Sequence, residues 1–184
     1  AYTNTSLAVF ASTTDADGDT ITLSYGWQVN GATIATTGST LAGATWFDKD
    51  DTVIAILTPN DGTDDGGATA TDSVTITNTA PTAPAISISA DASSNSVCTI
   101  ETPGTDADAD SISYSFEWDV DGEVYTDTDT TTYTGDTIVG SALGASETWT
   151  CDVTPNDGDD DGATVSASYA TPLCSGGGSD LTSH

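Results

Sequence analysis

Residues 15–31 read DADGDTITLSYGWQVNG and residues 106–122 read DADADSISYSFEWDVDG, one motif repeated at an offset of 91. In the first copy Ile21, Leu23, Tyr25, Trp27 and Val29 alternate with Thr22, Ser24, Gly26 and Gln28. In the second, Ile112, Tyr114, Phe116, Trp118 and Val120 alternate with Ser113, Ser115, Glu117 and Asp119. A period of two describes a strand with one buried and one wet face. Asn30-Gly31 and Asp121-Gly122 follow at once, and such pairs supply the positive φ angles of a tight hairpin turn.

Working outward, the string TPNDG at 58–62 recurs at 154–158, an offset of 96. Self-similarity over most of the chain means two tandem modules. The boundaries fall at 1–77 for module 1, 78–83 for a Thr/Pro-rich linker, 84–172 for module 2 and 173–184 for a Gly-rich tail. Further strands are expected near 6–12, 52–58 and 68–77, then near 84–90, 96–102, 147–154 and 163–170. Many short strands separated by turn signals suit a sandwich. Composition agrees, since 36 Thr, 20 Ser, 18 Gly and no Met favour strands and turns over helices. The fold class is all-β.

Charge narrows the function. The chain has 25 Asp, 4 Glu, the single cation Lys49, no Arg and one His at its last position, for a formal net charge of -28. Such a surface repels phosphate backbones and anionic membranes, which excludes nucleic-acid partners. General bases, Schiff-base amines and anion clamps are nearly absent, so the chain is not expected to be an enzyme. No run of 18 apolar residues exists, and no membrane insertion is expected. Asp clustered with Gly and Asn is the chemistry of Ca²⁺ loops; the alternative is a solvating coat for a salty medium. Asn4-Thr5-Ser6 is a glycosylation sequon, and glycans are one expected partner class. Lys49, within DKDD at 48–51, reads as a solvated turn lysine.

Cys98 lies on the strand before Trp118 and Cys151 on the strand after it. This order resembles the immunoglobulin fold, and the residues DxDGD, YxW, VNG, TPNDG and TNTAPTAP resemble tandem Ig-like, PKD-like and cadherin-like modules of bacterial and archaeal surface proteins. The resemblance implies two Ig-like Greek-key β-sandwiches, an extracellular or cell-surface location, and a Cys98–Cys151 bridge worth roughly 4 kcal/mol in the chain-entropy model. At offsets of 91 and 96 the module 1 counterparts are Leu7 and Ala55, which form no bridge. Cys174 is left over, either as a free thiol or as an intersubunit bridge.

In an Ig-like topology the B–C and F–G loops share one pole. Asp15, Asp17 and Asp19 are then expected to meet Asn60, Asp61, Asp64 and Asp65. Asp106, Asp108 and Asp110 are likewise expected to meet Asn156, Asp157, Asp159, Asp160 and Asp161. Carboxylates so crowded repel one another unless a cation such as Ca²⁺ neutralises them. In cadherin-like arrays Ca²⁺ at the interdomain junction stiffens the rod, and the resemblance implies the same here.

The strand at 84–90 maps, at an offset of 91, to positions before residue 1. Module 1 therefore reads as lacking its own strand A, either because a neighbouring copy completes it or because the chain is a slice of a longer protein. An unpaired edge is a template for another chain. Leu7, Val9, Phe10, Ile54, Ile56 and Cys174 are the candidate subunit-interface residues, and the tail the candidate donor, although Gly176–Gly178 are poor strand formers. The expectation is a structural subunit of an extracellular filament, assembled from copies of itself head to tail by strand completion and stiffened by Ca²⁺. The alternative is a Ca²⁺-dependent adhesive or glycan-binding segment of a larger surface protein.

Overall fold

The alternating strands build two sandwiches in a computed structural model that describes residues 1–128 and 131–172. The chain divides into two compact units. Unit 1 is Ala1–Ala80 together with Asp106–Asp110, and unit 2 begins with Pro81–Thr105 and resumes at Ser111.

Unit 1 contains β1 (Ser6–Ala8), β2 (Thr22–Val29), β3 (Ala32–Ile34), β4 (Thr40–Ala42), a one-turn helix α1 (Gly43–Trp46), β5 (Thr52–Asn60), β6 (Thr69–Ala70) and β7 (Val74–Thr75). One layer runs β3-β2-β5-β6, with β7 also on β5; the other is the pair β1-β4. In β5, Val53, Ala55 and Leu57 are buried while Ile54 and Ile56 on the opposite face are half-buried. Those three residues join Trp27, Leu41, Phe47 and Ile76 in the core. Asn30 and Gly31 turn the β2–β3 hairpin with φ of 50° and 80°. The strand expected over 68–77 is broken: β6 pairs Ala70 with Ile56, whereas β7 pairs Val74 with Val53, a shift of one residue. Within the break the Thr71 hydroxyl accepts the Ala55 N–H at 3.1 Å, a bulge that bends the edge.

Unit 2 contains β8 (Ala85–Ala90), β9 (Ser96–Thr102), β10 (Ser113–Val120), β11 (Glu123–Val124), β12 (Thr126–Thr128), β13 (Thr131–Thr132), β14 (Thr137–Ile138), β15 (Thr148–Asn156) and β16 (Val165–Ala170). Its layers are β11-β10-β15-β16 and β14-β9-β8, with β12-β13 a separate pair. The Cys98–Cys151 disulfide ties β9 to β15 across the sandwich. Trp118 lies opposite Cys151 on β10, fully buried, and donates its indole N–H to the Gly135 carbonyl at 2.9 Å. Trp149 meets Trp118 edge to face at 6.4 Å and Tyr125 at 4.9 Å. Each unit is an Ig-like sandwich, and the tandem all-β architecture is the one expected. No helix among the described residues is long and apolar enough to cross a membrane.

The hydrogen bonds correct one detail of the repeat. Trp27 and Trp118 donate to Gly38 and Gly135, so the acceptor segment is offset by 97. Val9 N–H donates to Ser39 O and Cys98 N–H to Asp136 O, again an acceptor offset of 97. Val9, not Leu7, is therefore the counterpart of Cys98, at an offset of 89. Ala55 keeps its assignment, because it faces Trp27 as Cys151 faces Trp118. The loop between this strand and the motif at 15–31 is two residues shorter than its counterpart in unit 2, in that Leu7 pairs with Leu41 as Ser96 pairs with Ile138.

Candidate functional site

The acidic loops are built first by backbone geometry. Asp15 Oδ1 accepts the N–H groups of Asp17 and Asp19 at 2.8 and 3.1 Å, and Asp106 Oδ1 accepts those of Asp108 and Asp110 at 2.8 and 3.0 Å. Asp61 Oδ1 accepts from Thr63 and Asp64, as Asp157 Oδ1 does from Asp159 and Asp160. The amides of Asn60 and Asn156 reach Asp65 and Asp161, each at 2.8 Å. Short carboxylates bind their own turns in this way, which is one reason the clusters are rich in Asp and poor in Glu. Hydrogen bonds from Asp64 and Thr63 N–H hold the Asp61 carboxyl below the usual aspartate range.

Among the described residues one group brings three acidic oxygens within 4.8 Å of one another, Asp106, Asp108 and Asp110, all half-buried. Unit 1 supplies their surroundings. Lys49 Nζ lies 2.8 Å from Asp110 Oδ2, the Thr3 hydroxyl donates to Asp108 Oδ1, and Thr79 N–H donates to Asp108 Oδ2 at 2.7 Å. Lys49 is thus ion-paired and not a solvated turn lysine. Asp106 Oδ2 is buried with no hydrogen-bond partner. Sequence reasoning missed Thr3, Lys49 and Thr79, whose spacing from residue 106 carries no signal.

Asp15 borders a 190 Å³ cleft with Asn60, Asp61 and Asp64, so the two loops of unit 1 do approach each other. Asp17, Asp19 and Asp65 do not line that cleft. Neither the Asp15–Asp19 and Asn60–Asp65 set nor Asn156, Asp157, Asp159, Asp160 and Asp161 forms a group of three acidic oxygens like that of Asp106, Asp108 and Asp110.

Unit 1 also carries an open groove. It holds 370 Å³ and is lined by Val9, Phe10 and Ala11 on one side, Leu23 and Leu57 at its floor and Ala70 on the other side. A second pocket of 130 Å³ continues past Leu7, Val9 and Ala55 to Val74. In unit 2, β8 pairs with β9 and packs against β16, and a pocket of 350 Å³ remains at its Ala90 end beside Ser96, Leu143 and Tyr169. β1 has β4 as its only ladder partner among the described residues. Phe10 stands 91 % exposed at the rim. Ile54 and Ile56 lie on the outer face of β5, opposite Gln28 and Gly26. Cys174 and the tail 173–184 lie outside the described residues.

No protein-family model matches the chain. No curated protein matches it in sequence. Among solved structures it is similar to the chicken interferon gamma receptor alpha chain, at 11 % identity over 89 % of each chain and a TM-score of 0.46. It is similar to a two-domain fibronectin type III segment of chicken tenascin, at 11 % identity over 85 % of this chain and 87 % of that one, with a TM-score of 0.41. A Ca²⁺-stabilised adhesin with which an Antarctic bacterium binds ice matches at 21 % identity over 82 % of this chain and 40 % of that one, with a TM-score of 0.35. Likenesses at this level carry no function, and the assignment to the Ig-like fold rests on the strand order and pairing described above.

Proposed function

We propose that this chain is a structural subunit of an extracellular filament, in which unit 1 receives a strand from a neighbouring subunit. The observation that carries the reading is the apolar groove beside Val9–Ala11, at the place where unit 2 holds its own β8. Exposed apolar surface beside a short edge strand favours another strand. Head-to-tail contacts of this kind do not close on themselves, and they give an open fibre. The disulfide and the acidic surface support a place outside the cell. The scarcity of cationic side chains, with no Arg, the single Lys49 and one His, supports a structural role over a catalytic one.

Electron microscopy of purified material tests the reading. Filaments are expected, with the amides of residues 9–13 exchanging more slowly in them than in dispersed subunits. Dispersed rods under all conditions, with those amides exchanging fast, would favour a Ca²⁺-dependent adhesive or glycan-binding segment instead. That second reading draws on the Asp106, Asp108 and Asp110 oxygens and on the buried, unpartnered Asp106 Oδ2, a donor set of the hard-oxygen type that Ca²⁺ takes. If Ca²⁺ binds there, a hundredfold excess over Kd stabilises unit 1 by about 2.7 kcal/mol. Chelator then lowers its melting temperature, and Asp108→Asn removes the response.

A further inference from the structure

A turn that the chain builds twice isolates the role of Lys49. In unit 1, Asp51 N–H donates to Asp48 O at 3.1 Å, the Asp51 carboxylate accepts Asp48 N–H at 2.8 Å, and Asp50 takes a φ of 69°. Asp50 N–H donates to Ile76 O and Ile76 N–H to Asp51 O, both at 2.9 Å, so the turn is fixed at its base. At an offset of 96, residues 144–147 repeat it in unit 2. The Glu147 carboxylate accepts Gly144 N–H at 2.6 Å, Ser146 takes a φ of 65°, and Thr171 N–H donates to Glu147 O at 2.8 Å. Where the first turn carries Lys49, the second carries Ala145. The turn itself therefore does not require a lysine.

What differs is the acid each turn faces. Lys49 reaches the group of Asp106, Asp108 and Asp110, whereas Ala145 borders the 350 Å³ pocket of Ser94, Ser96, Leu143, Tyr169 and Thr171, which no carboxylate lines. The chain has one Lys and no Arg against 29 acidic side chains, and that Lys stands at the one three-carboxylate group among the described residues. In the 2.8 Å pair the Lys49 and Asp110 side chains are 24 % and 35 % exposed, so solvent and salt screen it less than an open surface pair. Protein donors also occupy much of the lone-pair capacity that a metal would need. Asp106 Oδ1 holds the N–H groups of Asp108 and Asp110, while the two oxygens of Asp108 accept from Thr3 and Thr79. A Ca²⁺ bonded to Asp110 at about 2.3–2.6 Å would stand against the Lys49 ammonium, and like charges so close repel.

We propose that Lys49 is the resident cation of this triad, filling the role that Ca²⁺ has in the second reading above, and that the ammonium and a divalent ion exclude each other there. Once Lys49 is removed, His184 is the only cationic side chain left in the chain, and a divalent ion becomes the available counter-charge. Lys49 in this role leaves the filament reading untouched and makes Ca²⁺ binding at the triad conditional on its removal.

The test follows backbone amide shifts of residues 106–110 in the full chain as CaCl₂ is added, for the wild type, Lys49→Ala and Lys49→Arg. Residues 15–19, a loop stapled by its own aspartate in the same way but without a lysine, report general cation screening. Lys49→Ala copies the residue that unit 2 carries on the same turn, which keeps the turn intact. The wild type and Lys49→Arg are expected to respond no more at 106–110 than at 15–19, and Lys49→Ala to bind Ca²⁺ at 106–110 at least roughly tenfold more tightly. Under chelator the melting temperature of unit 1 in Lys49→Ala is expected to fall by roughly 5 °C, and Ca²⁺ to restore it. Ca²⁺ binding at 106–110 of the wild type with the affinity of Lys49→Ala overturns the proposal and favours the adhesive reading. Lys49→Ala that melts with the wild type, or that loses stability without gaining Ca²⁺ affinity, overturns it as well.

Discussion

Units 1 and 2 share a tryptophan on the central strand, a hairpin of Asn-Gly or Asp-Gly type and a loop stapled by its own aspartate, Asp61 in one and Asp157 in the other. They differ where the sandwich is closed. Unit 2 has β8 along β9 and a covalent pin from Cys98 to Cys151, while unit 1 has Val9 and Ala55 at the pinned positions and an open groove in place of the strand. The consequence is visible in the backbone, for the strand that lacks a neighbour is less than half the length of its counterpart.

The largest expected break in the symmetry is chemical reduction. The Cys98–Cys151 bridge spans a sequence separation of 53, and its loss is expected to cost unit 2 about 4 kcal/mol. Calorimetry with and without reductant should show one transition falling and the other, from unit 1, unmoved. Two transitions falling together would refute independent pinning.

A smaller effect sharpens the repeat register. Val9→Cys with Ala55→Cys should form a bridge in unit 1 and add at most about 4 kcal/mol, less as engineered bridges distort the native geometry. Leu7→Cys with Ala55→Cys should leave two free thiols, which mass spectrometry after alkylation counts. Bridge formation by the Leu7 pair would restore the offset of 91.

The smallest effect concerns pH. The Asp61 carboxyl is held below its ordinary value by the N–H groups of Asp64 and Thr63. A carboxylate whose folded value is lowered contributes stability fully above its unfolded value and loses it as pH falls through the folded one. Acidification below the ordinary carboxylate range should therefore loosen residues 60–65. Amide shifts of Thr63 and Asp64 that follow a single titration below that range check the prediction, and Asp61→Asn should abolish the titration.

Much of the architecture was legible in the chain before folding. Alternation in 21–29 and 112–120 named the central strands, and the turn pairs at 30–31 and 121–122 named their hairpins. The interrupted edge at β6 and β7 was not legible, because Asp72 and Ser73 look like ordinary strand-edge residues and the bulge depends on the Thr71 hydroxyl meeting Ala55. The acidic site was half legible. Asp106, Asp108 and Asp110 announce themselves by spacing, but their answer from Lys49, Thr3 and Thr79 comes from residues 29 to 105 positions away.

Features that depend on neighbours a few residues apart are readable from the chain alone: the period of two, the positive-φ turns and the capture of N–H groups by aspartates within their own loops. Folding settled which residue of unit 1 answers Cys98 and which groups surround Asp106, Asp108 and Asp110. Those outcomes depend on pairing between distant segments. A loop that differs by two residues shifts such a pairing without leaving a mark on the local pattern of apolar and polar side chains.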